Sequence, residues 1–285
     1  MALKPLGDTG ILVSALGLGC SRLASVSTGV TRQHATALLE AAYEGGIRFF
    51  DTADIYGQGD SERRIAHIAN RDSAIVCTKA GLELSVNPGL IRFVKPVVAP
   101  LLRRLRGAQK ATVSLRRQSE GSNFDPSRLR PRLEASVKRL KRARADVFLL
   151  HGPSLDELAD GSLYAMLDAA RADGLARACG ISCRGLDDAT AIIAEGRAQV
   201  IQVPLSVDTL PRADAMLTAA HDAGIGVIAR EVFAGKMIDK HGLEGALSPL
   251  LDDPRISTAL TGTTSLDHLA ANMAVFQNHT APEPA

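Results

Sequence analysis

Four side chains suited to proton transfer stand at the ends of three short apolar runs. Phe49-Phe50-Asp51-Thr52-Ala53-Asp54-Ile55-Tyr56-Gly57 brings an acid, Asp51, and a phenol, Tyr56, to the mouth of the first run. Lys79 closes Ile75-Val76-Cys77-Thr78-Lys79, and His151 closes Val147-Phe148-Leu149-Leu150-His151. A free phenol has a pKa of about 10 and exchanges protons poorly at neutral pH. A nearby ammonium favours phenolate and corrects this. Lys79 can supply that charge, Asp51 can hold Lys79 charged and aimed, and His151 can donate a hydrogen bond to a substrate oxygen. Tyr56 then serves as an acid toward a carbonyl oxygen, or as a base toward an alcohol. The reaction that fits is hydride transfer. No side chain carries a hydride, so this chemistry calls for a cofactor.

Such residues must be delivered to one place by the elements that carry them. Short apolar runs alternate with amphipathic stretches along the chain. The strand candidates are Ala15 to Gly19, Arg48 to Thr52, Ala74 to Thr78, Asp146 to Leu150, Ala176 to Ile181, Val200 to Val203, Gly226 to Ala229 and Thr258 to Thr261. Helical patterns follow them: Arg32 to Glu44, Ser61 to Ala69, Leu129 to Lys141, Leu163 to Ala172, Leu186 to Glu195, Arg212 to Ala223, Gly242 to Leu251 and Leu266 to Phe276. Eight βα repeats in 285 residues imply an α/β fold, a (β/α)8 TIM barrel, whose chemistry sits at the C-terminal ends of its strands. Leu6 to Val13, with Gly7-Asp8-Thr9-Gly10 at its centre, reads as a small N-terminal β-hairpin closing the barrel floor. No linker divides the chain, so residues 1–285 read as a single domain.

One segment breaks the rhythm. Forty-five residues separate Lys79 from Asp125, against ~2–6 for an ordinary βα loop. This long loop after the third barrel strand carries Arg92, Lys95, Arg103, Arg104, Arg106, Lys110, Arg116 and Arg117 against Glu83 and Glu120. It reads either as a lid over the site or as an idle insertion.

A net charge of +2 makes no case for a nucleic-acid partner, and 4% aromatics with no Trp leave few stacking surfaces. No run approaches the ~18 apolar residues of a membrane span. Cys20, Cys77, Cys179 and Cys183 form no CxxC pair and no metal-ligand spacing, and read as reduced thiols of a cytoplasmic protein. No heptad or apolar face stands out, so a monomer is the expectation.

Phe50-Asp51-Thr52-Ala53-Asp54-Ile55-Tyr56-Gly57, followed by Ser61-Glu62, resembles the signature of the aldo-keto reductases. Thr78-Lys79 and Leu149-Leu150-His151 fall in the order and strand context of that family. The resemblance covers essentially the whole chain. It implies a single (β/α)8 barrel that binds an extended nicotinamide dinucleotide without a Rossmann fold, consistent with Gly17-Leu18-Gly19-Cys20-Ser21-Arg22 failing the GxGxxG pattern. By resemblance Tyr56 is the general acid/base, and Asp51, Lys79 and His151 complete its tetrad. The substrate implied is a small carbonyl or alcohol: an aldehyde, a ketone or a sugar-like molecule.

The resemblance also implies a cofactor site. Gly180-Ile181-Ser182-Cys183 is similar to a Gly-x-Ser-Asn motif whose Ser and Asn hold the nicotinamide amide; Ser182 carries over, and Cys183 stands in place of the Asn. Gln202 matches an amide-binding Gln. Ala229-Arg230-Glu231-Val232-Phe233-Ala234-Gly235-Lys236 stands where the family usually has a Ser-Pro-Leu-containing loop over the pyrophosphate. Val232 and Gly235 fit a diphosphate contact there, Lys236 either meets it by charge or is solvated, and Arg230 is expected to face the site. Gly262-Thr263-Thr264-Ser265 through His268 and Asn272 resembles the adenine-side motif, with Thr264 and His268 where NADPH-preferring members carry basic residues. NADP(H) is the cofactor expected, with NAD(H) as the alternative. A cofactor-binding regulatory or interaction protein on the same barrel is the second reading. A hydrolase or lyase built on Asp51, Asp54 and His151 is the third.

Overall fold

Period-two alternation explains how the barrel is built. Along each strand one parity of residues faces the barrel interior and the other faces the helices. Phe49, Ile75, Cys77, Val147, Leu149, Ala178, Val200, Ile228 and Leu260 form one buried cluster inside the barrel. Their alternates Phe50, Val76, Phe148, Cys179, Ile181, Ile201 and Val227 belong to a second cluster shared with the helices. Two residues further along the inward parity, or four on β9, the chain turns polar: Asp51, Lys79, His151, Ser182, Gln202 and Arg230. The apolar lower layers are thus packed core, and the upper layer is the site.

The computed structural model describes residues 3–24, 28–84 and 120–278. Over these residues the strands are β1 (Leu3–Pro5), β2 (Leu12–Ser14), β3 (Leu16–Gly19), β4 (Phe49–Asp51), β5 (Ile75–Ala80), β6 (Leu82–Leu84), β7 (Glu120–Ser122), β8 (Ala145–His151), β9 (Ala176–Ser182), β10 (Val200–Pro204), β11 (Gly226–Arg230) and β12 (Thr258–Thr261). The helices are α1 (Arg32–Glu44), α2 (Asp60–Ala69), α3 (Pro126–Leu140), α4 (Leu155–Leu158), α5 (Ser162–Ala172), α6 (Leu186–Glu195), α7 (Leu210–Asp222), α8 (Met237–Asp252) and α9 (Leu266–Asn278). The eight strands β3, β4, β5, β8, β9, β10, β11 and β12 close into a parallel barrel, as the repeat pattern implies.

β1 pairs antiparallel with β2, so the N-terminal hairpin is present. Leu6, Ile11 and Val13 plug the barrel interior from below. Gly7 has φ 54°, and a Cβ there would lie 2.3 Å from the Gly224 carbonyl, so only glycine lets the hairpin seat this closely. Lys4 Nζ donates to the carbonyls of Leu251 (2.6 Å) and Asp253 (3.0 Å) and anchors the arm.

Three departures from the sequence reading are structural details rather than changes of fold. The helix read from Gly242 has a preceding turn from Met237, because Gly242 (φ 70°, ψ 174°) breaks the helical run without ending it. A short helix, α4, is capped reciprocally by Ser154 and Glu157. The long segment after Lys79 leaves and returns on an antiparallel ribbon of β6 and β7. The basic stretch from Arg92 to Arg117, on which the lid reading rests, lies outside the described residues, as does the tail from Thr280. Among the described residues no helix is long and apolar enough to cross a membrane.

Candidate active site

Parallel register places the polar inward residues side by side. Asp51 is opposite Cys77 and Lys79 is opposite Leu149. His151 is opposite Ser182, and Ser182 is opposite Gln202. These strand ends open into a cavity of about 720 Å³ whose wall includes Asp51, Tyr56, His151, Ser182, Gln202 and Arg230.

Lys79 is the best-held group of the site. It is 1% exposed, and its Nζ donates to Asp51 Oδ1 at 2.6 Å and to the Thr52 carbonyl at 2.9 Å. Burial is the largest single influence and works against its charge, but Asp51, Tyr56 and Cys77 together outweigh it, so Lys79 keeps its proton more firmly than an ordinary lysine. Its Nζ lies 5.4 Å from the centre of the Tyr56 ring. The His151 ring stands edge-on to the same ring, with centroids 5.8 Å apart and planes at 83°. The four residues singled out in the sequence therefore meet at one mouth.

The neighbouring strand ends form a second polar group. Ser182 Oγ donates to Gln202 Oε1 at 2.9 Å, and Gln202 Nε2 donates to Asp51 Oδ1 at 2.8 Å. This chain of bonds joins the two groups through Asp51. Arg230 faces the cavity, as expected; it donates to the Cys183 carbonyl at 2.9 Å and pairs with Glu231. Cys183 contributes backbone only. Its thiol turns back toward the Ile181 carbonyl (3.7 Å) and packs in the outer core, where burial pushes it up to about 12. On the far wall Gly19 and Gly262 face each other. A Cβ on either would meet the other strand's backbone near 3.7 Å, so this wall is bare backbone.

Other candidates lie outside this wall. Val232 is buried and lines the cavity, whereas Gly235 and Lys236 are exposed beyond it. Thr263 and Asn272 are buried, Thr264 is half-buried, and His268 is exposed. At the start of α9, Ser265 Oγ already accepts the His268 N–H (3.3 Å), and the Thr264 carbonyl is bonded to His34 (2.7 Å).

Sequence reasoning missed the groups that brace the Tyr56 loop. Arg132 of α3 pairs with Asp54 (2.7 Å), and Arg139 pairs with buried Glu62. Their signal was a spacing of seven on the edge of the Leu129, Leu133, Leu140 stripe, hidden in a run of basic residues that reads as a solvated face. It also missed Leu82 and Arg184, both on the cavity wall.

Comparison with known proteins agrees with this architecture. The model of the Aldo/keto reductase family matches residues 15–249. The chain is 30% identical to D-threo-aldose 1-dehydrogenase from Pseudomonas sp, over 97% of this chain and 80% of that protein. It is 27% identical to L-galactose dehydrogenase from Arabidopsis thaliana, over 84% of this chain and 68% of that protein. Among solved structures, the holo form of an aldo-keto reductase from Bacillus halodurans superposes with TM-score 0.77 at 19% identity, covering 100% of this chain and 93% of the other. An aldo-keto reductase from Klebsiella pneumoniae in complex with NADPH superposes with TM-score 0.68 at 17% identity, covering 97% and 90%. These two likenesses concern the fold. The family match spans most of the chain and includes the strand ends that carry Asp51, Lys79, His151, Ser182, Gln202 and Arg230: this protein belongs to the aldo/keto reductase family of oxidoreductases.

Proposed function

We propose that this protein interconverts a small carbonyl compound and its alcohol with NADP(H), Tyr56 giving or taking the proton. The observation that carries this reading is the placement of a buried, charged Lys79 between Asp51 and the Tyr56 ring, with His151 beside that ring in the same cavity. Lys79 stabilises the phenolate and so makes Tyr56 competent near neutral pH. Asp51 keeps Lys79 charged and aimed. His151 orients the substrate oxygen toward the phenol.

The residues present fit a nicotinamide group. Ser182 and Gln202 offer a hydroxyl and an amide on adjacent strands for a carboxamide, and the bare Gly19–Gly262 wall leaves a groove for a flat ring. Bound there, the cofactor supplies or accepts the hydride. Arg230, Val232, Gly235 and Lys236 would serve its diphosphate side, and Gly262, Thr263, Thr264, His268 and Asn272 its adenine side. Cys183 supports that site through its backbone rather than its thiol. The relatives named for aldose and galactose oxidation favour a polyhydroxylated substrate. Asp51 and Asp54 are each engaged by a cation, which disfavours the hydrolase reading.

The test is nicotinamide absorbance with L-galactose, D-threo-aldoses and 4-nitrobenzaldehyde, for wild type and Tyr56→Phe. Turnover that Tyr56→Phe abolishes while NADPH binding persists supports the reading. Wild-type turnover in that variant overturns it. NADPH binding without turnover of any carbonyl moves the regulatory reading to first place.

A further inference from the structure

Arg132 and Arg139 are seven residues apart on α3. Seven residues are close to two helical turns, so both point from one face. Each takes a carboxylate that flanks Tyr56: Asp54 in the loop that carries it, and Glu62 in the first turn of α2 that follows. Arg132 Nε donates to Asp54 Oδ2 at 2.7 Å, two residues before Tyr56. Arg139 donates to Glu62, six residues after it. The loop and the helix that follows it are also tied to β5. The Asp54 N–H donates to the Lys79 carbonyl at 3.0 Å, and Glu62 accepts from Thr78 Oγ1 at 2.6 Å. Arg132 reaches further, donating to the Leu82 carbonyl at 2.5 Å and approaching Glu83 at 3.4 Å. Leu82 is on the cavity wall, where the long segment begins.

This arrangement is costly for a mere surface tie. The Asp54 side chain is 8% exposed, and its Oδ1 has no hydrogen-bond partner among the described residues. Burial raises its proton affinity against the pull of Arg132. A planar guanidinium fork holds several acceptors in fixed directions, which an apolar contact would not. Direction is what a phenol held over an ammonium requires.

We propose that Asp54 and Arg132 are positioning residues that hold Tyr56 over Lys79 and, through Leu82, tie the start of the long segment to the same geometry. The inference rests on the reading of Tyr56 as a tuned acid, and its test needs no substrate. The chain has three tyrosines and no Trp, so tyrosinate absorbance after a rapid pH jump is a clean signal. Tyr56→Phe identifies the Tyr56 transition by deleting it. Lys79→Met removes the charge itself and moves that transition to higher pH. Asp54→Asn moves it the same way by about half a pH unit or more, roughly a threefold change in ionisation.

The sign is decisive. By charge alone, removing the Asp54 carboxylate leaves Arg132 uncompensated and favours phenolate, a shift to lower pH. Only displacement from Lys79 gives an upward shift. Arg132→Lys, which keeps the charge but not the fork, is expected to shift it upward too. An unmoved or lowered transition in Asp54→Asn and Arg132→Lys overturns the positioning role. An unmoved transition in Lys79→Met overturns the reading of Tyr56 beneath it.

Discussion

Two buried aspartates in this barrel meet cations in opposite ways. At the top, Asp51 accepts from Lys79 at 2.6 Å and from Gln202 at 2.8 Å, and its group opens onto a cavity. Near the bottom of β8, Asp146 is fully buried and accepts from Arg142 (2.7 Å), Arg177 (3.2 Å) and the Val76 N–H (2.9 Å). Arg142 also donates to the Ala69 carbonyl at 2.9 Å. Every partner of Asp146 is scaffold, and the cluster joins β5, β8, β9 and the end of α2. The same chemistry thus does different work at the two ends of a strand, as expected for a barrel whose C-terminal face is reactive and whose N-terminal face is structural.

The largest effects expected would break this contrast if they fell at the wrong end. Tyr56→Phe should lower kcat by ~10²–10⁴-fold, the usual worth of a positioned general acid, with the unfolding midpoint unchanged because the ring is retained. A steady-state assay beside a thermal melt checks both parts. A lost fold in Tyr56→Phe would mean the top rim is scaffold as well.

Asp146→Ala should do the reverse. It leaves the buried Val76 N–H unpaired and takes the carboxylate from two half-buried guanidinium groups, and a buried group left unsatisfied costs ~1–3 kcal/mol. Urea unfolding measures this, and the folded fraction should turn over with wild-type KM and kcat. Altered kinetics at preserved stability would put Asp146 in the reactive network and end the distinction.

The sequence made the top rim legible because it is built by rules of short range. Inward parity, strand ends and turn glycines place Asp51, Lys79, His151, Ser182 and Gln202 without knowledge of any contact, and Tyr56 follows within five residues of Asp51. The bottom cluster and the bracing arginines were not legible. Arg132 meets Asp54 across 78 positions and Arg139 meets Glu62 across 77, and the choice of those carboxylates among many depends on how α3 packs. The bond from Gln202 to Asp51 spans 151 positions and exists only because the barrel closes. Cys183 shows the complementary limit. Its place in the motif was readable, but the direction of its thiol was decided by the outer core.

Ser182→Ala sharpens the comparison within the top rim itself. Loss of one hydroxyl from the Ser182–Gln202–Asp51 chain should weaken NADPH binding about three- to tenfold, the scale of a single hydrogen bond, and leave stability almost untouched. Fluorescence titration reads the first and a melt the second. Unchanged affinity would remove Ser182 from the cofactor side.

The smallest effect belongs to the site's outer edge. His268 is exposed on the first turn of α9, and Ser265 already caps that turn. Here nothing braces a side chain as Asp51 braces Lys79. A full charge at such a position acts through solvent and is worth only ~0.2–1 kcal/mol. His268→Arg should therefore raise the ratio of NADPH to NADH affinity about two- to fivefold, and added salt should erase the gain as screening grows. Parallel titrations with both cofactors at low and high ionic strength measure it. A gain that survives high salt would mean that residue 268 meets a desolvated phosphate, and the held part of the site would then extend from Lys79 as far as α9.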